Sequence, residues 1–262
     1  MIFQDQLGRK IELCKTPQRI ISLVPSQTEL LFDLGLEEEV VGITKFCIHP
    51  KKWHQSKVKV GGTKNINYAS VKKLQPDLII ANKEENTKEE IEQLSQEFPV
   101  WISDIYHLTD ALTMIKNIGE IVGRKEKAEN LVKEIYSSFS EIKPLTAKPK
   151  VLYLIWRKPW MSANAETFIH EMLVKCGFMN VAQFNNQRYP VLTKNEIYCL
   201  TPEIVFLSSE PYPFKEKHIK ELQEILPNSK IWLVDGEAFS WYGSHLLKSA
   251  DYFKELQNLL SP

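Results

Sequence analysis

Short runs of aliphatic and β-branched residues alternate along this chain with stretches whose apolar residues recur at helical spacing. The first strand-like run is 19–24, and it leads directly into Pro25-Ser26-Gln27-Thr28-Glu29. Ser26 and Glu29 have the spacing of a capping box, and the leucines that follow form the apolar stripe of a helix. Strands that alternate with helices in this way predict a parallel sheet with crossover helices.

The second half of the chain repeats the order of elements found in the first half. Three strand-like units recur in the same order roughly 130 positions later. The matched pairs are 19–24 with 150–156, 74–80 with 200–206, and 98–104 with 229–235. Three ordered matches at nearly one spacing predict an α/β protein with two similar lobes, each a mainly parallel sheet flanked by helices.

Two helical stretches separate the halves, over 110–122 and 125–143. The second contains neither Gly nor Pro, and at about 1.5 Å per residue it spans roughly 28 Å. A linker rich in Gly and Ser would be flexible, whereas this pattern predicts one long rigid helix and little domain closure. The predicted organisation is an N-terminal lobe over 1–124, a connecting backbone helix over 125–143 and a C-terminal lobe over 144–262.

The charged residues balance, with 33 Lys and Arg against 33 Asp and Glu. A chain with zero formal net charge has no overall basic field for nucleic acid or an anionic membrane, so neither partner is expected. No run reaches the roughly 18 apolar residues of a membrane-spanning helix. The four cysteines are far apart and form no CxxC pair, so no structural zinc site or disulfide framework is expected.

In open α/β sheets a ligand binds beyond the carboxyl ends of the strands, so the residues that follow each predicted strand are candidate contacts. Aromatic residues are concentrated there. Trp156, Trp160 and Trp241 are predicted to lie in loops, where a role in the core is least expected. Aromatic groups with few polar neighbours suit a large, flat or partly apolar ligand. The sequence therefore predicts an aromatic-lined binding cleft between the lobes.

Motifs for catalysis are absent from this sequence, which has no GxSxG, P-loop or GxGxxG pattern. Of the six histidines, only His107 and His245 are near the predicted cleft loops, and a directly bound metal ion is not expected. The chain is therefore expected to be a binding protein and not an enzyme. An enzyme with two nucleotide-binding-like lobes, such as a glycosyltransferase, is an alternative of a different class.

The string Arg19-Ile20-Ile21-Ser22-Leu23-Val24-Pro25-Ser26-Gln27-Thr28-Glu29-Leu30-Leu31 resembles the opening of cobalamin- and iron-chelate-binding proteins of ABC importers. The unit at 74–80 and the string Phe239-Ser240-Trp241-Tyr242-Gly243-Ser244 extend the resemblance over roughly 17–260. The vitamin B12-binding branch is the most similar. The resemblance implies two α/β lobes bridged by one long helix, with cobalamin or a related metal chelate held non-covalently between them.

The resemblance also implies roles for individual residues. In the cobalamin branch, loop aromatics frame the corrin, and Phe46 and Tyr189 fall at such positions, whereas Thr63 and Asn82 stand where tryptophan is typical. Family members dock to their permease through one glutamate per lobe; Glu196 fits the C-terminal position, and Ala69 occupies the N-terminal one. The expected ligand-binding residues are Pro25, Ser26, Phe46, Asn82, Tyr106, Trp156, Trp160, Arg188, Tyr189, Trp241 and Tyr242.

Several alternatives stay open at this point. The ligand is expected to be cobalamin, with a ferric siderophore or haem as the alternative, and the protein is expected to be a monomer. The resemblance implies a periplasmic location and an ABC permease as partner. The first residues, Met1-Ile2-Phe3-Gln4-Asp5-Gln6, show no basic segment followed by an apolar one, as an export signal would. A cytosolic corrinoid or tetrapyrrole carrier without a transporter is therefore the competing expectation.

Overall fold

The computed structural model describes residues 1–184 and 187–260. The chain divides into two compact units. The first unit contains residues 1–105, 109–135 and 241–245, and the second contains residues 106–108, 136–240 and 246 onward. The sequence-based boundaries at 124 and 143 treat the connecting helix as separate from both units, and that treatment stays a prediction.

The first half of the chain alternates short strands with helices, as the hydrophobic pattern predicts. The strands are β1 (Ile2–Gln4), β2 (Lys10–Glu12), β3 (Ile20–Ser22), β4 (Val40–Ile43), β5 (Val58–Lys59), β6 (Gly61–Gly62), β7 (Asn65–Ile66), β8 (Leu78–Asn82) and β9 (Val100–Ser103). The helices are α1 (Pro25–Asp33), α2 (Lys51–Ser56), α3 (Tyr68–Leu74), α4 (Lys88–Ser95), α5 (Leu108–Ile121) and α6 (Lys125–Ser140).

The second half follows the same scheme with longer strands. The strands are β10 (Lys150–Trp156), β11 (Trp160–Ser162), β12 (Met179–Asn180), β13 (Val191–Leu192), β14 (Ile204–Ser208) and β15 (Lys230–Val234). The helices are α7 (Phe168–Lys175), α8 (Lys194–Cys199), α9 (Glu216–Gln223), α10 (Gly236–Ser240) and α11 (Leu246–Leu260).

The sheet of the first unit has the strand order β5-β4-β3-β8-β9, and all of its strands are parallel. Strands β3, β8 and β9 are buried along their whole length. Parallel strands covered on both faces read as continuous apolar runs, which is why the sequence located them. The predicted α/β class is confirmed for this unit.

The sheet of the second unit has the order β13-β11-β10-β14-β15 and mixes two strand directions. Strands β10, β14 and β15 are parallel, whereas β11 runs antiparallel to both β10 and β13. The stretch from Trp156 to Trp160 is therefore a tight hairpin that begins and ends in strands. The prediction of a loop holding both tryptophans is wrong, because Trp156 ends β10 and Trp160 begins β11.

Helix α1 begins differently from the predicted capping box. Pro25 is its first residue, Val24 is the N-cap, and no side chain caps the helix. Proline is favoured at this place because its fixed φ fits the helix and its missing N–H would have no partner there. The hydroxyl of Thr28 donates to the carbonyl of Val24 at 2.9 Å. The Ser26–Glu29 capping box is therefore wrong, and the Glu29 carboxylate has a different partner.

Helix α6 is shorter than the predicted 125–143, since it ends at Ser140. The N–H of Ile142 still donates to the carbonyl of Phe139 at 3.3 Å, which tightens the end of the helix. Pro144 follows, and a proline disfavours helical backbone at the residue before it. Residues of α6 up to Ile135 belong to the first unit, and residues from Tyr136 belong to the second.

Candidate functional site

The carboxyl end of β4 in the first unit presents Phe46, whose side chain is 52% exposed. The ammonium of Lys45 lies 5.1 Å from the centre of its ring. The hairpin β6–β7 supports this loop, because the backbone N–H of Lys45 donates to the carbonyl of Gly61 at 2.8 Å. A Cβ atom at Gly62 would lie 3.1 Å from Phe46 Cε2, so the glycine leaves room for the ring. Phe46 is thus a supported aromatic surface.

Asn82 ends β8, and its side chain is buried in hydrogen bonds within the protein. Its amide oxygen accepts from the backbone N–H groups of Glu84 and Glu85 at 2.8 and 3.0 Å. Its amide nitrogen donates to the hydroxyl of Ser103 at 3.0 Å. An Asn that bonds the backbone ahead of it in this way shapes a turn. The structure therefore gives Asn82 a role in holding its loop, and contact with a ligand stays a prediction.

The start of α1 presents little polar surface to a ligand. Pro25 is half-buried and Ser26 is 3% exposed. The segment 241–245 packs on this helix within the first unit: a Cβ atom at Gly243 would lie 3.1 Å from the carbonyl oxygen of Ser26. Gly243 also has φ +117°, a backbone conformation that side chains with a Cβ disfavour.

Segment 241–245 is held to α1 by a buried side-chain pair. His245 Nδ1 lies 2.8 Å from Glu29 Oε2, and the two side chains are only 7% and 6% exposed. The ring of Trp241 lies 5.3 Å from that of His245 and 5.5 Å from that of His49. Trp241 and Tyr242 are buried as well. Trp241 lies in the loop between α10 and α11, as predicted, but the expectation that it has no core role is wrong because its side chain is buried.

The carboxyl ends of β10 and β14 bring two aromatic side chains together in the second unit. Trp156 is 39% exposed, and its ring meets that of Tyr212 edge to face at 5.5 Å. Tyr212 is half-buried and was not among the expected ligand residues. Its position directly after a predicted strand could have indicated a ligand contact, but nothing in the sequence indicated that it packs against Trp156.

Trp160 belongs to the hydrophobic core of the second unit. It is 5% exposed and stacks on Phe214, with ring centres 6.1 Å apart and planes 4° from parallel. The guanidinium of Arg157 covers its ring at 4.4 Å. Arg157 in turn forms an ion pair with Glu221, and this hydrogen bond lowers the pKa of the Glu221 carboxyl. The sequence predicts Trp160 as a ligand contact, and that stays a prediction; it did not indicate that the ring is buried in the core.

Arg188 brings three of the expected ligand residues together. Its guanidinium lies 4.6 Å from the centre of the Tyr106 ring and 5.9 Å from that of Tyr189. Its Nε donates to the carbonyl of Glu166 at 2.8 Å. All three residues are half-buried, and cation–π contacts hold them in one group within the second unit.

Two histidines of the second unit, His107 and His170, each lie close to a polar side chain. His107 Nδ1 lies 3.7 Å from Glu171, and His170 Nδ1 lies 3.3 Å from the amide of Asn180. Burial lowers the pKa of His170, which favours its neutral form. Across residues 1–184 and 187–260, no group of three His, Cys, Asp or Glu side chains is placed to hold a metal ion.

Glu196, the expected docking residue, is exposed and forms a capping box at the start of α8. One carboxylate oxygen accepts from both the backbone N–H and the hydroxyl of Thr193 at 2.7 Å. These hydrogen bonds lower the pKa of the Glu196 carboxyl. Ala69 is also exposed, near the start of α3, where Asn67 caps the helix. Thr63, half-buried, follows β6.

None of the helices in the described part of the chain is long and apolar enough to cross a membrane. The family model described as "Periplasmic binding protein" matches residues 20–232. The ABC transporter substrate-binding lipoprotein YvrC of Bacillus subtilis is 28% identical over 212 residues, which cover 77% of this chain and 67% of the relative.

A vitamin B12-binding protein of Vibrio parahaemolyticus is 25% identical over 195 residues, which cover 73% of this chain and 70% of the relative. Among solved structures, the periplasmic haem-binding protein HutB of Vibrio cholerae superimposes with a TM-score of 0.77 at 23% identity. The superposition covers 94% of this chain and 99% of HutB. This structural likeness confirms the predicted fold class.

Proposed function

Because the chain belongs to the periplasmic binding protein family, we propose that it is the substrate-binding protein of an ABC importer. Its ligand is cobalamin or a related metal chelate, held non-covalently and released unchanged. Both sequence relatives support this proposal, one as an ABC transporter lipoprotein and one as a vitamin B12-binding protein. The family also supports a location outside the cytoplasmic membrane and a role without catalysis.

The observation that carries the proposal is the aromatic surface at the carboxyl ends of the strands in each unit. The first unit offers Phe46 after β4, and the second offers Trp156 at the end of β10. The group of Tyr106, Arg188 and Tyr189 adds further rings, although Arg188 and Tyr189 lie just before β13 and not after a strand. Partly exposed rings of this kind provide large contact area for a flat macrocycle at low entropic cost. We propose that these residues contact the ligand directly.

The buried members of the expected set have a supporting role in this proposal. Asn82 shapes its loop, Trp160 packs in the core, and Trp241 and Tyr242 belong to the segment held by Glu29 and His245. Ser26 and Pro25 form the first turn of α1. These residues position the exposed rings, and a binding surface that is held in place loses less entropy when the ligand binds.

Titration of the purified protein with cyanocobalamin, ferric haem and a ferric siderophore tests this function. We expect micromolar or tighter binding of at least one of the three, measured by absorbance and calorimetry. The Phe46→Ala variant should weaken that binding without lowering the melting temperature, since the ring is mostly exposed. Tyr136→Ala, on the exposed face of α6, is the matched control. Failure of all three ligands to bind would refute the proposal.

Docking to a permease is the second part of the proposed function, and Glu196 is the proposed contact. The Glu196→Arg variant should keep the wild-type affinity for the ligand, because the residue is exposed on α8. It should abolish ligand-dependent stimulation of ATP hydrolysis by the importer in proteoliposomes, because the charge that docks is reversed. Glu224→Arg, an exposed change at the end of α9, is the control. Stimulation that survives in Glu196→Arg would exclude this contact.

A further inference from the structure

The hairpin formed by β6 and β7 packs against the exposed ring of Phe46. A Cβ atom at Gly62 would lie 3.1 Å from Phe46 Cε2, and the backbone N–H of Lys45 donates to the carbonyl of Gly61 at 2.8 Å. Only two residues of each strand pair in this hairpin. An isolated two-stranded hairpin is marginally stable in water, so its position depends on contacts with the rest of the unit.

Two side chains from the segment after β8 bind this hairpin on either side of its turn. Asn86 Nδ2 donates to the carbonyl of Thr63 at 2.9 Å. Glu90 Oε1 accepts from the backbone N–H of Ile66 at 2.8 Å. Thr63 follows β6 and Ile66 ends β7, so each strand of the hairpin is held near the turn. Asn86 and Glu90 are called the hairpin clamp below.

Asn86 is itself fixed by the ends of two buried strands. Its side chain is buried, and Oδ1 accepts from the backbone N–H of Asn82, the last residue of β8, at 2.9 Å. Its Nδ2 also donates to the carbonyl of Leu23, directly after β3, at 3.4 Å. A buried polar group whose hydrogen bonds are made rigidifies its surroundings. Asn86 therefore ties the hairpin to the central strands of the sheet.

We propose that Asn86 is a positioning residue of the ligand site, because it holds the hairpin and the hairpin holds the ring of Phe46. The inference rests on the proposed function and deepens it: Asn86 is buried, and it acts on the ligand through Phe46. A ring that is already held loses little entropy when the ligand binds, whereas a ring on a loose hairpin is ordered at the expense of affinity.

Asn86→Ala tests this role, since it removes both the donor to Thr63 and the acceptor for Asn82. The probes are cyanocobalamin, ferric haem and a ferric siderophore. Whichever of these the wild type binds should bind the variant roughly 2- to 10-fold more weakly in calorimetry, because the ring must then be ordered on binding. Asn65→Ala, at an exposed residue of β7, is the matched control and should keep the wild-type affinity.

A double-mutant cycle with Phe46→Ala distinguishes positioning from a merely structural role. In the Phe46→Ala background the ring is gone, so adding Asn86→Ala should change the affinity by less than about 2-fold. A general loss of folded protein would instead weaken binding equally in both backgrounds. Melting temperatures of the four proteins show how much of each is folded at the temperature of the titration.

Hydrogen exchange tests the proposed motion without a ligand. The Lys45 amide donates to the hairpin, so its exchange should be faster in Asn86→Ala than in the wild type. The Ile79 amide of β8 donates to the carbonyl of Pro99 and should keep its slow exchange. Equal exchange of the Lys45 amide in both proteins would show that Asn86 does not hold the hairpin.

Glu90 provides the test if Asn86→Ala does not fold. Glu90→Leu removes the acceptor for the N–H of Ile66 and should weaken binding in the same Phe46-dependent way. Glu90→Gln keeps an oxygen acceptor and should restore the affinity.

The outcomes separate this inference from the proposed function. If a probe binds the wild type and the folded clamp variant equally well, Asn86 does not position the site and the inference fails, whereas the proposed function stands. A loss of affinity that persists undiminished in the Phe46→Ala background has the same meaning. If none of the three chelates binds the wild type, the proposed function fails and this inference fails with it.

Discussion

Replacing Trp160 with Ala is expected to lower the free energy of unfolding by about 3–5 kcal/mol, the usual cost of removing a buried tryptophan. The ring is 5% exposed, stacks on Phe214 and is covered by Arg157, so truncation leaves a cavity that this hairpin cannot fill. Urea unfolding followed by circular dichroism measures the change. The slope of the transition should stay the same if the native state keeps its compactness.

Trp156→Ala is the matched control, since the two tryptophans stand at the two ends of one hairpin turn. Its ring is 39% exposed, so its loss should change stability by no more than about 1 kcal/mol. The same variant should weaken ligand binding, because Trp156 is part of the proposed contact surface. Equal stability losses in the two variants would contradict the assignment of Trp160 to the core and Trp156 to the surface.

The second large loss of stability is expected from a substitution at Gly119, where helices α5 and α6 approach each other. A Cβ atom at Gly119 would lie 2.2 Å from Cβ of Ala128, which is fully buried. Gly119→Ala should therefore destabilise the protein by about 1–3 kcal/mol through overpacking. Replacing Gly by Ala in the middle of a helix normally stabilises a protein by about 0.5–1 kcal/mol, so the change in stability expected here has the opposite sign.

A compensating substitution makes this prediction specific. In Gly119→Ala combined with Ala128→Gly the clashing atom is gone, and the next nearest atom is the carbonyl oxygen of Arg124 at 3.3 Å. The double variant should recover most of the lost stability in thermal and urea unfolding. If the stability loss of the double variant equals the sum of the losses in the two single variants, the helices do not meet at these residues.

Local patterns were sufficient for the elements of the fold. The parallel strands β3, β8, β10 and β14 are apolar runs bounded by turn residues, and each lies where its run predicts. Such strands are buried on both faces, so their composition reports their environment directly. The repeat at roughly 130 positions likewise reported two units, because each unit must build its own core from its own strands.

Local patterns failed where a side chain had a partner distant in the sequence. Glu29 has the spacing of a capping residue, yet its carboxylate faces His245, and Pro25 begins the helix instead. Glu196 does form a capping box, with Thr193, although it was expected only as a docking residue. Capping depends on the geometry of the helix start, and the sequence of one turn does not determine that geometry.

Which aromatic residues are exposed was also a question of tertiary structure. Trp156 and Trp160 are four positions apart and have the same side chain, but the hairpin turns one outward and packs the other on Phe214. Tyr212 contacts Trp156 of β10 and His218 of α9. Because both partners lie on other elements, the sequence around Tyr212 could not predict these contacts.

The order of residues alone was enough to predict the α/β class and the repeat of strand units in the two halves of the chain, whereas the aromatic binding surface stays a prediction. The buried parallel strands are continuous apolar runs bounded by turn residues, so they can be predicted from the chain. The short strand β11, which runs antiparallel to β10 and β13, was not predicted. Packing between distant segments settles which rings stay accessible and which polar atoms are already satisfied. Those properties depend on contacts between residues far apart in the chain, such as Glu29 with His245 and Trp156 with Tyr212.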